Sequence, residues 1–510
     1  MSAINRVVKN TWILYVRMAL TVFISLYATR VTLLALGVTD FGLFNLVGGV
    51  IAMLTFLNNA MSTATQRFMS FAEGAGDFKR QKEIFNVSTV LHIIIAVLVF
   101  LVLEIAGYFL FDKVLEIPAE RLETARIVFQ FMVVSTVFTI VSVPYDAVIN
   151  AHENMLLFAI LGVVESVFKL GIALFLSVTP YDKLTTYGLL MAFLSIILLF
   201  ARRIYCHRKY QECEINFIEH FSKSTFKEMS SFAGWSFLGA SSSMIAFYGQ
   251  GTVLNVFFGP VVNASQAISA QVSGQLGAFA LNMIKAVNPL IAKSAGSGDK
   301  KLMINATILG AKVSFFLLMI FYIPMLLEMP YIFSIWLTDV PQFAVIFCRL
   351  LLIRNFIEQW YIPLSTSIVA HGNIKKYQVY SSVLHIIPLL LSYGLFKIGF
   401  DSFYMYLSFI IYSILLFILT LYFSFKNFQF PVKSFMKDTV FRSLIVLFIA
   451  GFCASIPVLL LDVGIERLLI VSFISTIISI SLIWIIGLTL HERTKFKNLL
   501  FKKDITVFKT

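Results

Sequence analysis

The 510-residue chain is too apolar for a soluble protein, since 59% of its residues are hydrophobic and only 13% are charged. A soluble domain carries roughly one quarter charged residues, and the mean hydropathy here is +0.88. The net charge of +13 would suit a nucleic-acid partner, but the basic residues lie in short loops between apolar runs, where they set membrane topology. We therefore expect a membrane protein with no nucleic-acid partner.

Apolar runs of about 20 residues or more recur along the chain, each long enough to cross about 30 Å of hydrocarbon as a helix. Helices satisfy their own backbone hydrogen bonds in lipid, whereas a transmembrane barrel would show short alternating segments. The first run is too long for the core of a cleaved signal peptide, so we expect it to be retained. The pattern predicts fourteen spans, at 11–36, 41–70, 84–111, 122–150, 155–178, 184–206, 228–258, 262–293, 303–328, 342–370, 376–398, 402–425, 439–461 and 465–490.

Lysine and arginine decide the orientation of these spans. Fourteen spans place both termini on one side, and the loops of that side with the adjoining span ends hold 27 of the 40 basic residues, against 6 on the opposite side. The positive-inside rule then places both termini in the cytoplasm. We predict a multi-pass protein of a bacterial inner membrane. Two cytoplasmic stretches, residues 214–227 and the tail around 496–501, mix aromatic and basic residues, as helices on an anionic leaflet do.

The chain also contains an internal repeat. Gly37 begins a stretch that ends at Gly74–Asp77, and at an offset of 222 residues Gly259 begins one that ends at Gly296–Asp299. A second motif recurs at an offset of 219, where the pattern of Pro144, His152 and Asn154 returns as Pro363, His371 and Asn373. The prolines predict kinks in two equivalent helices. The two asparagines are placed to cap the helices that follow.

Six spans in each repeat would insert both halves in the same orientation, as in parallel-repeat transporters. We therefore predict an all-α polytopic membrane protein in which two parallel six-helix repeats form two lobes, plus two C-terminal helices. The predicted boundaries are 1–210 for the N-terminal lobe, 211–427 for the C-terminal lobe with an interfacial segment before helix 7, and 428–510 for helices 13 and 14 and a basic cytoplasmic tail.

Charged residues inside membrane spans are costly and usually mark function or pairing. Glu165 with Lys169, and Arg354 with Glu358, have the i,i+4 spacing of self-neutralising pairs. Arg17 and Arg30 on span 1 and Lys285 on span 8 have no acidic residue one helical turn away in the sequence. For these three, snorkelling or pairing with a distant acid stays open beside a role in binding.

Spans 2 and 8 carry polar stripes with repeated amides along one helical face. Hydrocarbon would leave such amides unsatisfied, so the stripes indicate a hydrated cavity. The candidate substrate-binding residues are therefore the three cations and the stripe amides: Arg17, Arg30, Asn59, Gln66, Gln271, Gln275, Asn282 and Lys285. Their charge is not symmetric between the halves, which suits an elongated ligand with one anionic end.

The motif Leu36-Gly37-x-x-Asp40-Phe41-Gly42-Leu43, preceded by Asn10-Thr11 and followed by Gly48-Gly49 and Gln66-Arg67-Phe68, resembles that of the polysaccharide (O-antigen-type) flippases. These belong to the multidrug/oligosaccharidyl-lipid/polysaccharide exporter superfamily, and the fourteen-span plan is similar to theirs over nearly the whole chain. The resemblance implies a flippase in which undecaprenyl-diphosphate-linked oligosaccharide enters a cationic cavity lined by helices 1, 2, 7 and 8. Rocking of the lobes would release it outside, for lipopolysaccharide and other cell-surface polysaccharide biosynthesis.

Membrane lipids and a polysaccharide polymerase machinery are the other partners that this resemblance suggests. We expect no cofactor, and a coupling ion, H⁺ or Na⁺, stays open. The first alternative is a cation-coupled multidrug exporter of the same superfamily, which needs an acidic residue in the N-terminal half. Asp146, near the predicted kink of span 4, is the only plausible acid on spans 1, 2 and 4.

The second alternative is an oligosaccharide polymerase or ligase. Such enzymes need catalytic residues at the outer face, commonly on a large loop, whereas the predicted outer loops are all short. No paired carboxylates and no nucleophile-base arrangement stand out in the sequence. We therefore expect a transporter and not an enzyme.

Overall fold

The computed structural model describes residues 3–52, 55–113, 117, 119–337, 340–490 and 492–494, and within these ranges the chain is helical almost throughout, with no strand. The α-helices are α1 (Ala3–Ala52), α2 (Thr55–Ala75), α3 (Phe78–Lys113), α4 (Leu122–Ala151), α5 (Met155–Leu176), α6 (Lys183–Lys209), α7 (Lys223–Gly296), α8 (Lys300–Trp336), α9 (Ala344–His371), α10 (Lys375–Lys397), α11 (Tyr404–Phe428), α12 (Val432–Phe435), α13 (Arg442–Leu460) and α14 (Ile465–Leu482). The predicted all-α membrane fold is confirmed.

Two of these helices continue through a kink where the sequence pattern predicted a loop. α7 contains predicted spans 7 and 8, and α1 contains span 1 and the first part of span 2. α1 bends at Gly37 (φ 78°, ψ 169°) and α7 at Gly259 (φ 76°, ψ −174°). Glycine adopts a positive φ at little cost, so one residue is enough to leave one helix and enter the next. The stretch 214–222, predicted as part of an interfacial helix, forms turns, and α7 begins only at Lys223.

Ten helical segments in the described part of the chain are long and apolar enough to cross a membrane. The helices of predicted spans 2, 7, 8 and 10 are not among them. These helices hold the polar stripes and, in α9, the charged residues Arg349, Arg354 and Glu358. In spans 7, 8 and 10 the described helices are less apolar than a lipid-facing helix requires, as expected of helices that border a polar interior. Predicted span 2 includes residues 53–54, which lie outside the described ranges.

The repeat predicted from the sequence recurs in the backbone. Gly76 (φ 68°) and Gly298 (φ 75°) have the same left-handed conformation 222 residues apart. Glu153 (φ 54°) and Gly372 (φ 99°) match at the other offset, 219. Left-handed backbone is uncommon outside glycine, so its recurrence at both offsets confirms two copies of one helical plan.

Only one of the two predicted asparagine caps is present. Asn154 accepts a hydrogen bond from the backbone N–H of Leu157 at 3.2 Å and so caps α5. α10 begins after Ile374 with no side-chain cap, so the prediction for Asn373 is wrong. Gly372 already ends α9 in a left-handed turn, which satisfies the last carbonyls of α9 and moves the start of α10 beyond Asn373.

The chain divides into two compact units. The N unit consists of Asn10–Ala240 and Gly296–Gly298, and the C unit of Met1–Lys9, Ser241–Ala295 and Asp299–Thr510. In the N unit α4 packs against α2, α3 and α6. In the C unit α9 packs against α8 and α11, with Phe315 stacked on Trp360 at a ring-centroid distance of 5.2 Å.

Helix α14 and the segment that follows it are held to α8 of the C unit by two largely buried ion pairs. The guanidinium of Arg467 contacts both carboxylate oxygens of the fully buried Glu328 at 2.8 Å. The ammonium of Lys312, which is 1% exposed, contacts both oxygens of Glu492 at 2.9 Å. The side chains on α8 lie 16 residues apart, about 24 Å along the helix. The C-terminal extension is therefore joined to α8 at two points that are well separated along that helix.

Candidate functional site

The N unit contains a cluster of charged side chains within its membrane helices. Arg202 on α6 places its Nε 2.8 Å from Oδ1 of Asp146 on α4, and both side chains are largely buried. On α5 the ammonium of Lys169 lies 2.7 Å from Oε1 of Glu165. Arg17 on α1 completes this group, which we call the Asp146 cluster: Arg17, Asp146, Glu165, Lys169 and Arg202.

Arg17 is held against α5 by an aromatic ring and by a glycine. Its guanidinium carbon lies 4.5 Å from the ring centroid of Phe158, within the range of a cation–π contact. A Cβ at Gly162 would overlap the guanidinium, so only glycine lets Arg17 approach α5 this closely. Arg17 is within electrostatic range of Glu165, Asp146 and Arg202, and its Nε is buried without a hydrogen-bond acceptor among the described residues.

The Asp146 cluster contains three cationic and two anionic side chains, so with all of them charged it carries a surplus of one positive charge. Asp146 already has Arg202 as its partner. A proton or a cationic ligand would therefore compete with Arg202 for the carboxylate. An anionic ligand would instead find the Nε of Arg17 ready to donate a charge-assisted hydrogen bond.

The C unit has its own buried polar group, centred on the predicted pair of α9. Arg354 Nε lies 2.9 Å from Glu358 Oε1, and its guanidinium lies over the rings of Phe409 and Tyr412, at 5.1 and 5.8 Å. His385 on α10 packs against Tyr412 and shares a hydrogen bond of 3.2 Å with the hydroxyl of Ser242. The i,i+4 pair is thus confirmed, and aromatic residues of α11 surround it.

The remaining candidate residues are divided between the two units. Arg30 is exposed on α1, 13 residues from Arg17 and so about 20 Å along the helix. Gln66 on α2 is partly buried, and the side chain of Asn59 lies outside the described residues. On the second half of α7, Gln271, Gln275 and Lys285 are exposed and Asn282 is partly buried. Their assignment to substrate stays a prediction.

A third charged group lies outside the membrane-spanning segments, at the turn between α4 and α5. His152 contacts Glu212 through Nε2, and its Nδ1 lies 3.3 Å from Oε1 of Glu73. Its ring stacks on Tyr210 at 4.2 Å. Burial lowers the pKa of His152, but the hydrogen bonds to Glu212 and Glu73 outweigh it and raise the pKa to about 9. The imidazolium therefore joins three segments of the N unit.

Sequence reasoning did not identify Arg202 or His385 as members of these groups. Arg202 lies near the end of the predicted sixth span, 184–206, with no acidic residue one helical turn away in the sequence, and α6 places it against Asp146. His385 lies in an apolar run with no charged neighbour.

Comparisons with known proteins agree with this architecture. The family model named MatE matches residues 14–175. A MATE protein crystallised in complex with MaD3S has a TM-score of 0.71 at 12% identity, over 83% of this chain and 96% of its own. An outward-facing multidrug resistance MATE family transporter of the MOP superfamily has a TM-score of 0.69 at 12% identity, over 85% and 97%.

A third structure is a MOP superfamily transporter from Pyrococcus furiosus, whose description reports a reversed polarity of the binding pocket and suggests a different function. It is 14% identical, with a TM-score of 0.66 over 84% of this chain and 95% of its own. No curated protein matches the chain in sequence. The chain therefore has the two-lobed fold of the MATE transporters.

Proposed function

We propose that this chain is a membrane transporter that exports an organic solute by alternating access of its two lobes. The observation that carries this proposal is the MATE fold, which extends over 95–97% of the three solved transporters. Transport also fits the charged side chains held inside membrane helices, because buried ionisable groups in membranes commonly mark a solute or ion pathway.

For the substrate, the comparisons favour a small solute of the multidrug type. One of the similar structures is described as a multidrug resistance transporter. In this chain Asp146 would supply the acidic residue that the exporter hypothesis requires in the N-terminal half. A cationic solute, or the coupling ion H⁺ or Na⁺, would displace Arg202 from Asp146 and thereby change the contact between α4 and α6.

A lipid-diphosphate-linked oligosaccharide is the second candidate substrate. Two observations favour it: the surplus positive charge of the Asp146 cluster, and the two helices α13 and α14. The three solved transporters match only 83–85% of this chain, so about one sixth of it has no counterpart in them. A diphosphate entering a low-dielectric cavity needs compensating cations, and Arg17 is suitably placed on α1.

One reconstitution experiment tests the proposal and separates the two substrates. Proteoliposomes with the full-length protein are assayed for uptake of a cationic dye and for translocation of a fluorescent undecaprenyl-diphosphate oligosaccharide, each with and without a proton or sodium gradient. The multidrug type predicts dye transport that Asp146→Asn abolishes. The flippase predicts glycan translocation that Arg17→Ala abolishes. Movement of neither substrate above protein-free vesicles would contradict both assignments.

The cellular setting belongs to the same proposal. We place the protein in the bacterial inner membrane with both termini in the cytoplasm, on the strength of the uneven distribution of lysine and arginine between the loops. A flippase would hand its product to a polysaccharide polymerase machinery outside. A solute exporter would need no such partner.

A further inference from the structure

The outer face of α6 in the N unit carries a stripe of apolar side chains. Four of them recur at intervals of three or four residues and are all exposed: Phe193, Ile197, Phe200 and Ile204. From the first to the last of them the helix rises about 16 Å, which is close to half of the roughly 30 Å of hydrocarbon in a bilayer. The stripe is therefore long enough to accompany an acyl chain through one leaflet.

Exposed cations surround the C-terminal end of this stripe. Arg203, Arg208 and Lys209 lie within the last two turns of α6, and all three side chains are exposed. At 100° per residue Arg203 and Arg208 lie on opposite flanks of the stripe. His207 lies between them on the same face and is within electrostatic range of Arg203. The apolar stripe therefore ends in a group of positive charges, as a helix does where it passes from hydrocarbon to the headgroup region.

The acidic residues that follow α6 in the chain do not neutralise these cations. Glu212 is buried and contacts His152, and Glu214 forms an ion pair with Lys82 of α3. In the part of the chain that the structure describes, none of the three exposed cations of α6 forms an ion pair. The surplus charge at this end is positive, so its complement is an anion at the level of the lipid headgroups.

A turn close to this end of α6 exposes further apolar side chains. Ile218 is 99% exposed, and Phe217 beside it is exposed as well. The segment is held against α3, because the side chain of Asn86 donates to the carbonyl of Glu214 at 2.8 Å and accepts from the N–H of Asn216 at 2.9 Å. Apolar side chains held outward in this way are unfavourable in water. We therefore expect this turn to lie at the surface of the bilayer, at the level of the cations.

We propose that the cationic end of α6 binds an anionic phospholipid of the adjoining leaflet. The phosphodiester accepts charge-assisted hydrogen bonds from Arg203 and Arg208, and one acyl chain lies along the stripe from Phe193 to Ile204. Phosphatidylcholine offers the same phosphate, but its trimethylammonium group is repelled by the same cations and it binds more weakly. The site does not depend on the proposed transport function, since lipid binding is measured without a substrate.

The test uses the full-length protein in phosphatidylcholine nanodiscs that contain a small, fixed fraction of a photoactivatable lipid. The probe is phosphatidylglycerol with a diazirine on one acyl chain, and phosphatidylcholine with the same chain is its matched control. Mass spectrometry measures the labelling of residues 184–202, which include most of the stripe. Since each cation near the surface attracts an anionic lipid by a factor of about five, we expect phosphatidylglycerol to label this segment about 25-fold more than phosphatidylcholine.

Two double variants and a change of salt make the outcome decisive. Arg203→Gln with Arg208→Gln brings the labelling by the two lipids close to equal. Lys300→Gln with Lys301→Gln removes two exposed cations from the start of α8 and keeps the preference. Salt at about 1 M screens exposed charges and lowers the wild-type preference severalfold, which decides the case should the first variant fail to fold.

Four results overturn the proposal. The first is equal labelling of wild-type residues 184–202 by the two lipids, and the second is an undiminished preference at high salt. The third is an undiminished preference in the variant that lacks both Arg203 and Arg208. The fourth is a loss of the preference in the variant of Lys300 and Lys301, because the attraction would then come from the net charge of the protein and not from the end of α6.

Discussion

Arg202 on α6 holds Asp146 on α4, with 2.8 Å between Nε and Oδ1. Asp146 lies two residues after Pro144, the proline inside α4. Proline removes one backbone hydrogen bond of the helix and favours a bend there. The ion pair therefore joins α4 to α6 within one helical turn of the proline of α4.

Removing Arg202 alone should destabilise the protein, because it leaves the Asp146 carboxylate with no partner of comparable strength. We expect Arg202→Gln to lower the free energy of unfolding by about 2 kcal/mol, less than the 3–5 kcal/mol of a fully buried pair. Asp146→Asn with Arg202→Gln should recover most of this loss. Thermal unfolding in detergent measures both variants, and equal stability of the single and double variants would contradict the pairing.

The helical plan could be predicted from the sequence because the patterns that indicate it are short stretches of chain that recur in both halves. The apolar runs, the two glycine motifs and the proline motif each recur in both halves, and the structure has Gly37 and Gly259 in the same left-handed conformation. The Asp146–Arg202 pair could not be predicted, since its members lie 56 residues apart and depend on where α6 ends. Pairs four residues apart, such as Arg354–Glu358, were predicted because one helix positions both residues.

His152 predicts a pH dependence of stability. Its pKa is raised to about 9 in the folded protein by the hydrogen bonds to Glu212 and Glu73, which exceed the opposing effect of burial. A raised pKa means that the folded state binds the proton more tightly than the unfolded state. The stabilisation is therefore complete below the unfolded pKa of about 6.5 and is lost as the pH rises to about 9. It amounts to at most about 3 kcal/mol.

Melting temperatures between pH 6 and pH 10 measure this effect. We expect the wild type to lose stability across this window and His152→Gln to be less stable at pH 6 and nearly flat. His371→Gln is the matched control, because His371 is the repeat counterpart of His152 and is exposed at the end of α9. A wild-type profile parallel to that of His152→Gln would show that the imidazolium is not the titrating group.

The ion pairs of the C-terminal extension predict a second stability effect. Glu492→Gln leaves the ammonium of Lys312 buried beside a neutral amide, and we expect a loss of about 3–5 kcal/mol. Lys312→Met combined with Glu492→Gln should be far more stable than the single variant, because a buried pair is often replaceable by apolar packing. Detergent unfolding curves and protein yield give the readout. Full stability of Glu492→Gln alone would exclude a structural role for this contact.

The topology is tested by cysteine labelling after the four native cysteines are replaced. Single cysteines at Lys79, Lys209 and Lys375 should react with a membrane-impermeant maleimide only from the cytoplasmic side. Cysteines at positions 116, 339 and 463 should react only from outside, as the positive-inside rule requires. Lys209 is chosen over its neighbour Tyr210 because Tyr210 is buried against His152. Reversal at any position would contradict both the orientation and the even number of spans in each repeat.

Substitutions of the three cations on α1 and α7 distinguish between the two candidate substrates. If the substrate carries a diphosphate, Ala at Arg17, Arg30 or Lys285 should reduce translocation at unchanged protein level, since losing one cation from a desolvated anion site costs about 2–5 kcal/mol. Arg17→Lys should rescue only partly, because lysine cannot form two parallel hydrogen bonds to phosphate. Export of a cationic dye should not fall in the same variants.

The control for these variants has to be chosen away from the Asp146 cluster. Replacing Glu165 and Lys169 is unsuitable, because Glu165 is within electrostatic range of Arg17. Lys397→Ala is better matched, since Lys397 is an exposed cation at the end of α10 that contacts only the ring of Tyr393, at 4.9 Å, among its described neighbours. We expect this variant to translocate as the wild type does. Unchanged glycan translocation in all three cation variants would exclude an anion site at these residues.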